Sequence, residues 1–192
     1  MTDALRPHLA IDNTETFTSF VRRLAHFHTG QGPDRLLKDY SIDPREINRG
    51  SLAGVDAVSR LSGVDVPALE AGTIGRIDRC RIFRGDRWSR EFVTPEGERF
   101  CPECLAEDIG ESGIFHQKTR IAWRLRPVFT CPVHLRQLTQ VNDMDGRSDL
   151  DAPMYRQHAL MTFAKLPVDQ HSTLVERWIG IGSCPRAWCS WP

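Results

Sequence analysis

The run Arg99-Phe100-Cys101-Pro102-Glu103-Cys104 is answered, 26 residues further on, by Cys131-Pro132-Val133-His134. Each half offers two soft donors separated by two residues, the spacing at which one tight turn aims both at a single point. Three thiolates and an imidazole make the closed tetrahedral shell of a structural Zn2+ site. The proline after the first cysteine of each pair fixes its own φ and shapes the knuckle. Cys101, Cys104, Cys131 and His134 are therefore the candidate metal ligands. A zinc enzyme such as a nucleobase deaminase needs a coordination position open to water and a His-x-Glu ahead of Pro-Cys-x-x-Cys. Here four protein donors fill the shell, no His-x-Glu precedes the knuckle and no glycine-rich phosphate loop appears. The sequence points to no catalytic residue, and the expectation is a protein that is not an enzyme.

Something must hold the two knuckles opposite each other. Short apolar runs (Ile82-Phe83, Phe92-Val93) and the turn Pro95-Glu96-Gly97 predict strands leading into the first. Ile121 to Phe129, with Trp123, Leu125 and Val128, reads as a strand returning to the second. That is a zinc ribbon, in which hairpin tips clamp an ion because a few strands cannot bury a core alone.

Ahead of it the chain reads as helical. Phe17, Phe20, Val21, Leu24 and Phe27 follow the i, i+3, i+4, i+7 pattern over Glu15–His28, with Asn13 or Thr14 as cap and Gly30 as stop. A shorter helix is predicted over Asp34–Tyr40, and Ser41–Arg49 reads as a connection. Ser51–Gly72 predicts two helices around the turn Ser62-Gly63-Val64-Asp65, a helix-turn-helix layout in which Gly63 supplies positive φ. The second helix, Val66 to Ala71, carries no Arg, Lys, Asn or Gln, the side chains that read base edges in the major groove. The pair is thus better suited to packing or protein contact than to sequence recognition.

The chain has 192 residues, of which 40% are hydrophobic and 26% charged, the composition of a soluble globular protein. No segment approaches the apolar length that spans a bilayer, and Met1–Ala10 shows no basic region followed by an apolar run. A cytoplasmic location is expected, in which thiols stay reduced and Cys-x-x-Cys reads as metal binding. Cys80 reads as a small buried apolar residue, whereas Cys184 and Cys189 have no paired ligands nearby. Net charge is zero, yet basic residues cluster. Arg76, Arg79, Arg81, Arg84, Arg87 and Arg90 crowd the approach to the first knuckle; Lys118, Arg120, Arg124, Arg126 and Arg136 span the stretch before and through the second. A solvated arginine-rich surface and a phosphate-contacting face fit this equally. The candidate nucleic-acid or partner contacts are Arg81, Arg84, Arg87, Arg90, Lys118, Arg120, Arg124 and Arg126. Acids gather at Asp143, Asp145, Asp149 and Asp151 in what reads as a linker, followed by helices over Tyr155–Lys165 and Leu174–Ile179.

The run Glu15-Thr16-Phe17-Thr18-Ser19-Phe20-Val21-Arg22-Arg23-Leu24-Ala25 resembles the opening of TniQ proteins, where Glu-Ser-x-x-Ser-Trp-x-x-Arg-Leu-Ala is typical. Phe20 stands where that pattern has tryptophan. Arg99 to Asp108 resembles the family's first knuckle, and Trp123-Arg124, Cys131, His134 and Leu138 are similar to its second half. The resemblance covers about residues 10 to 140. It implies a transposition adaptor that links target-site DNA, or a targeting complex, to an AAA+ ATPase regulator and a transposase. It also implies a helix-turn-helix region followed by a zinc region, with a homodimer and, for some members, a guide-RNA complex among the associations.

The expected fold is mainly α with a small β zinc ribbon. Residues 1–75 form a helical, helix-turn-helix-like region, 76–140 the zinc-ribbon region, and 141–192 an acidic linker with C-terminal helices. The alternatives to the adaptor are a helix-turn-helix transcriptional regulator or a zinc-stabilised nucleic-acid-binding module.

Overall fold

A computed structural model describes residues 4–110, 113–141, 149–151 and 154. The helices expected over Tyr155–Lys165 and Leu174–Ile179, together with Cys184 and Cys189, lie outside the described residues.

Helix α1 (Phe17–Thr29) starts at Thr16, whose hydroxyl accepts from the Ser19 N–H at 3.2 Å, so the cap is two residues later than Thr14. It stops at Gly30 in the left-handed region, as the sequence predicts. The apolar stripe places Phe17, Phe20, Val21 and Leu24 in the core, but Phe27 is exposed. All of Phe17–Ala25 is buried, so α1 is a central helix rather than a surface one. Helices α2 (Pro33–Asp39) and α4 (Leu52–Ser62) bring Leu36, Leu37, Val55 and Val58 into the same apolar cluster. Each such side chain is worth roughly 1.5–3 kcal/mol on burial.

The predicted connection over Ser41–Arg49 contains a helix, α3 (Pro44–Arg49), that buries Ile47. Asp43 caps it through its carboxylate and Pro44 occupies the first turn, where the missing N–H costs nothing. Helix α4 is joined to α5 (Val66–Ala71) through Gly63 at φ 76°, a left-handed conformation that glycine adopts at little cost. Helix α5 has only six residues and inserts Leu69 into the core.

Three short antiparallel strands follow, β1 (Ile74–Ile77), β2 (Cys80–Phe83) and β3 (Asp86–Ser89), in the order β1-β2-β3. Only Ile82-Phe83 in this meander was anticipated. Phe92 lies in a 3-10 turn, and Val93 meets Leu125 in a single antiparallel bridge. The expected strand over Ile121–Phe129 is a correction: Ile121–Arg124 is a short helix, α7. Strand β4 (Arg99–Phe100) pairs with β5 (Thr139–Gln140), and helix α6 (Pro102–Ile109) follows β4 directly. The metal region is therefore not coreless. Phe100, Leu105, Trp123, Leu125, Val128 and Leu138 form a second apolar cluster around the cysteines.

Between the two clusters lies a buried polar layer. Arg22 and Arg124 both donate to the Glu96 carboxylate, at 3.1 and 3.0 Å, and Thr18 donates to it as well. Arg124 also reaches Asp149 at 3.1 Å, and Asp149 accepts from the Glu96 backbone N–H. Arg76 completes the group with a 2.9 Å contact to Asp149. Asp149 is thus no part of a solvated linker but a buried anion; burial disfavours its charge, yet Arg124, Arg76 and the Glu96 N–H hold its carboxyl below the ordinary range. The main chain is stitched across the same boundary. Thr16 N–H donates to Thr119, and Ile121 N–H donates to Thr14.

Candidate metal centre

The first knuckle grows from the junction of β4 and α6. Phe100 is anchored by pairing with Thr139, Cys101 is the residue before the helix, and Pro102 fills the first turn. A three-residue step within that turn brings the Cys104 side chain to the same side as Cys101. The second knuckle is a hairpin tip. Thr130 bridges Gln137, Cys131 exchanges backbone hydrogen bonds with Arg136 and Leu135, and Leu135 takes φ 53° to close the turn. One tip is thus a strand-to-helix junction and only the other a hairpin, which revises the ribbon expected from the sequence. Arg136 on the second knuckle pairs with Glu103 on the first at 2.8 Å.

The four candidate ligand atoms lie within 4.8 Å of one another. Cys104 Sγ is 3.5 Å from Cys131 Sγ, and His134 Nδ1 is 3.5, 3.3 and 3.7 Å from the sulfurs of Cys101, Cys104 and Cys131. A sulfur–sulfur separation of 3.5 Å is far beyond a disulfide bond of about 2.05 Å. It is close to the edge, about 3.8 Å, of a tetrahedron with ~2.3 Å metal–sulfur bonds. The three cysteines are buried and free.

The electrostatics of the donors favour a cation. Cys104 is pushed up by its hydrogen bonds to Cys101 and Cys131 and by burial. For Cys101 the Cys104 hydrogen bond favours the thiolate, but the Cys131 contact and burial outweigh it and raise the thiol to about 12. Cys131 collects hydrogen bonds from Cys101 and Cys104 and falls to about 2. One thiolate is tolerated and the next two are resisted, and a divalent ion relieves that conflict. The imidazole is oriented for the same task. His134 Nε2 is 2.9 Å from Glu107 Oε1, which leaves Nδ1 directed at the sulfurs. A carboxylate behind a ligating histidine is the usual way its tautomer is fixed. The cluster can hold a metal ion.

The candidate basic contacts are dispersed. Arg84, Arg87, Arg90 and Arg126 are exposed, and Arg81 is half-buried on β2. Lys118 is tied to Asp12 at 3.1 Å, and Arg120 is clamped on Asp108 and lies over the Trp123 ring. Arg124 is 5% exposed and saturated by Glu96, Asp149 and the Thr94 carbonyl, so its charge faces inward rather than to a partner. Sequence reasoning missed Glu15, Glu96 and Arg99 as buried polar residues. The Glu15-x3-Ser19-x3-Arg23 spacing could have revealed the first, because it stacks three polar groups along one helix face. Arg99 donates to the carbonyls of Arg126 and Val128, bracing the loop that leads to the second knuckle.

A bundle of short helices is continuous with a Cys3His cluster that could hold a metal ion. The match to the TniQ family extends over residues 6–138, and the chain belongs to that family. TniQ proteins are associated with DNA transposition in an adaptor role. No curated protein matches the chain.

Proposed function

We infer that the chain is a non-catalytic adaptor of DNA transposition whose middle region is pinned by Zn2+ on Cys101, Cys104, Cys131 and His134. The observation that carries this reading is the family match over 6–138, which encloses both knuckles. Three sulfurs and one nitrogen at tetrahedral spacing suit zinc better than harder cations, which prefer oxygen. The ion would supply fold stability, not chemistry, because four protein donors leave no position for water or substrate. Residues 1–75 supply the helical, helix-turn-helix-like part and 76–140 the zinc part. The adaptor links target-site DNA or a targeting complex to an AAA+ ATPase regulator and a transposase, alone or as a homodimer, and a guide-RNA complex is one form the targeting complex takes in the family.

The α4–α5 turn favours a second reading, a helix-turn-helix regulator. The residue inventory of α5, with Leu69 buried and no Arg, Lys, Asn or Gln, weighs against base recognition. Reconstitution decides between them. The adaptor reading expects the purified, zinc-loaded chain to hold an AAA+ ATPase encoded beside it on DNA in a pull-down. Sequence-specific operator binding with no ATPase retention would replace it with the regulator.

A further inference from the structure

The three-stranded sheet carries an excess of hydrogen-bond donors on one face. In the β1-β2-β3 register Arg76 lies opposite Arg81, and Arg81 opposite Trp88. Direct cross-strand partners project from the same face, so Arg76, Arg81 and Trp88 form one row across the sheet. At one end Arg76 is anchored to Asp149. At the other, Trp88 stacks on Phe92 with ring centroids 4.5 Å apart, and its indole Nε1 is buried with no hydrogen-bond partner. An unpaired buried indole N–H is costly and marks a missing acceptor. Arg81 sits between them, half-buried, with one long contact of 3.4 Å to the Cys80 carbonyl and no carboxylate partner among the described residues.

The surroundings of Arg81 are themselves positive. Burial pushes its guanidinium down from the ordinary range, and Arg76, Arg124 and Arg90 add to that against the opposing charge of Asp149. The nearby carboxylates, Glu96 and Asp149, are already shared among Arg22, Arg76 and Arg124. Donors with no acceptor, in a positive and partly desolvated setting, fit a ligand that only accepts and is anionic.

We propose that Arg81, Arg90 and the Trp88 indole N–H form a phosphate site on this sheet, and that its occupant is a backbone phosphate of a nucleic acid. This rests on the adaptor reading, which brings the chain to DNA. It also narrows the contacts: Lys118, Arg120 and Arg124 form ion pairs within the fold, whereas Arg81 and Arg90 form none among the described residues, although the charges of Asp149 and Glu91 act on them. The exposed Arg84 lies at the β2–β3 turn, whereas Arg87, opposite Ile82 and next to Trp88, projects from the other face of the sheet. Phosphate contact positions a protein on a duplex without reading bases, in accord with the bare α5 helix.

The test uses the full, zinc-loaded chain and two probes. Inorganic phosphate is titrated while the Trp88 indole N–H resonance is followed by NMR. The resonance is expected to shift in the wild type and to stay fixed in Arg81→Gln. Binding to a short DNA duplex is then measured against salt. Each lost phosphate contact should flatten the slope of log K against log salt by about 0.9, so Arg81→Gln and Arg90→Gln should each remove about one contact. An unchanged thermal midpoint shows that the variants are folded, and Trp88→Phe removes the N–H while keeping the stack on Phe92. An indole that ignores phosphate overturns the site. A responsive indole with unaltered DNA slopes, or with no DNA binding by the wild type, overturns the nucleic-acid assignment. The last of these also removes the DNA half of the adaptor reading, whereas wild-type DNA binding with unaltered slopes leaves that reading standing.

Discussion

Arg23 and Glu15 meet side-on in the middle of the protein: Arg23 Nε donates to Oε1 at 2.8 Å and Nη2 to Oε2 at 2.7 Å, with both side chains buried. Ser19, between them in sequence, donates to the same carboxylate at 2.9 Å and accepts from the Thr119 N–H at 2.9 Å. Three polar positions of the N-terminal motif are thus one hydrogen-bonded unit, aimed at the half that carries the Cys101-Cys104-Cys131-His134 cluster.

Glu15→Ala strands a buried guanidinium and should lower stability by about 3–5 kcal/mol. The exposed Arg35–Asp39 pair on α2 provides the contrast: Arg35→Ala should cost only about 0.3–0.5 kcal/mol. Urea midpoints of the two variants check this. Equal losses would show that burial of the Glu15–Arg23 pair carries no special weight.

Glu107→Gln keeps a hydrogen-bonding group behind His134 but removes its charge. Removing such a partner typically weakens metal binding 10–100-fold. With the Glu107 side chain 65% exposed, about tenfold is expected, measured by competition with a chromophoric chelator. No change in affinity would mean that Glu107 does not orient the imidazole.

Cys104→Ser should abolish stoichiometric metal binding, measured by elemental analysis. Because Thr119 and Ile121 are stitched to Thr16 and Thr14, the disturbance should also lower amide protection at the start of α1. Protection of α1 that survives loss of the ion would show that the helical half stands alone.

Acid should weaken the fold through two carboxylates held below their ordinary value of 3.8. Burial disfavours charge on Asp12, but hydrogen bonds from Thr14 and the Lys118 ammonium prevail and bring it to about 2. Asp149 is lowered in the same direction. A carboxylate depressed on folding adds stability that is present above pH about 4 and fades as pH falls toward about 2. The urea midpoint of the wild type should fall over that window, and less steeply in Asp12→Asn. Parallel curves would remove the Asp12–Lys118 contact from the account.

Gly72→Ala should destabilise by about 1–3 kcal/mol. The backbone there has ordinary φ, yet a Cβ would sit 2.5 Å from the Glu15 carbonyl oxygen, which is main chain and cannot swing aside. A thermal midpoint equal to wild type would show that the 15–17 segment can retreat.

The parts of this fold that follow local rules were legible. The stripe on α1 down to Leu24, the stop at Gly30, the Gly63 turn and the convergence of Cys101, Cys104, Cys131 and His134 all depend on short-range spacing. Helix α3 is hard to read because Asp43-Pro44 fits a turn as well as it fits an N-cap followed by a first-turn proline, which is what the structure has. Ile121 to Phe129 is rich in the bulky residues that strands favour, yet Ile121–Arg124 is helical and places Trp123 in the second apolar cluster. The buried charges were the least legible. Arg22, Glu96, Arg124 and Asp149 come from four distant segments, and each alone reads as surface. Only their meeting in three dimensions accounts for them.

The pairing of Thr14 and Thr16 with Ile121 and Thr119 also constrains the order of events on the ribosome. The apolar side of the opening helix is covered by Leu36, Leu37, Val55, Val58 and Leu69, which follow it closely in the chain, whereas its main-chain partners Thr119 and Ile121 are made much later. Until then Ser19 and Arg22 have only water where the folded protein supplies Thr119 and Glu96. The apolar side of the helix is thus completed by local chain and its polar side by long-range contacts, the slower kind to close.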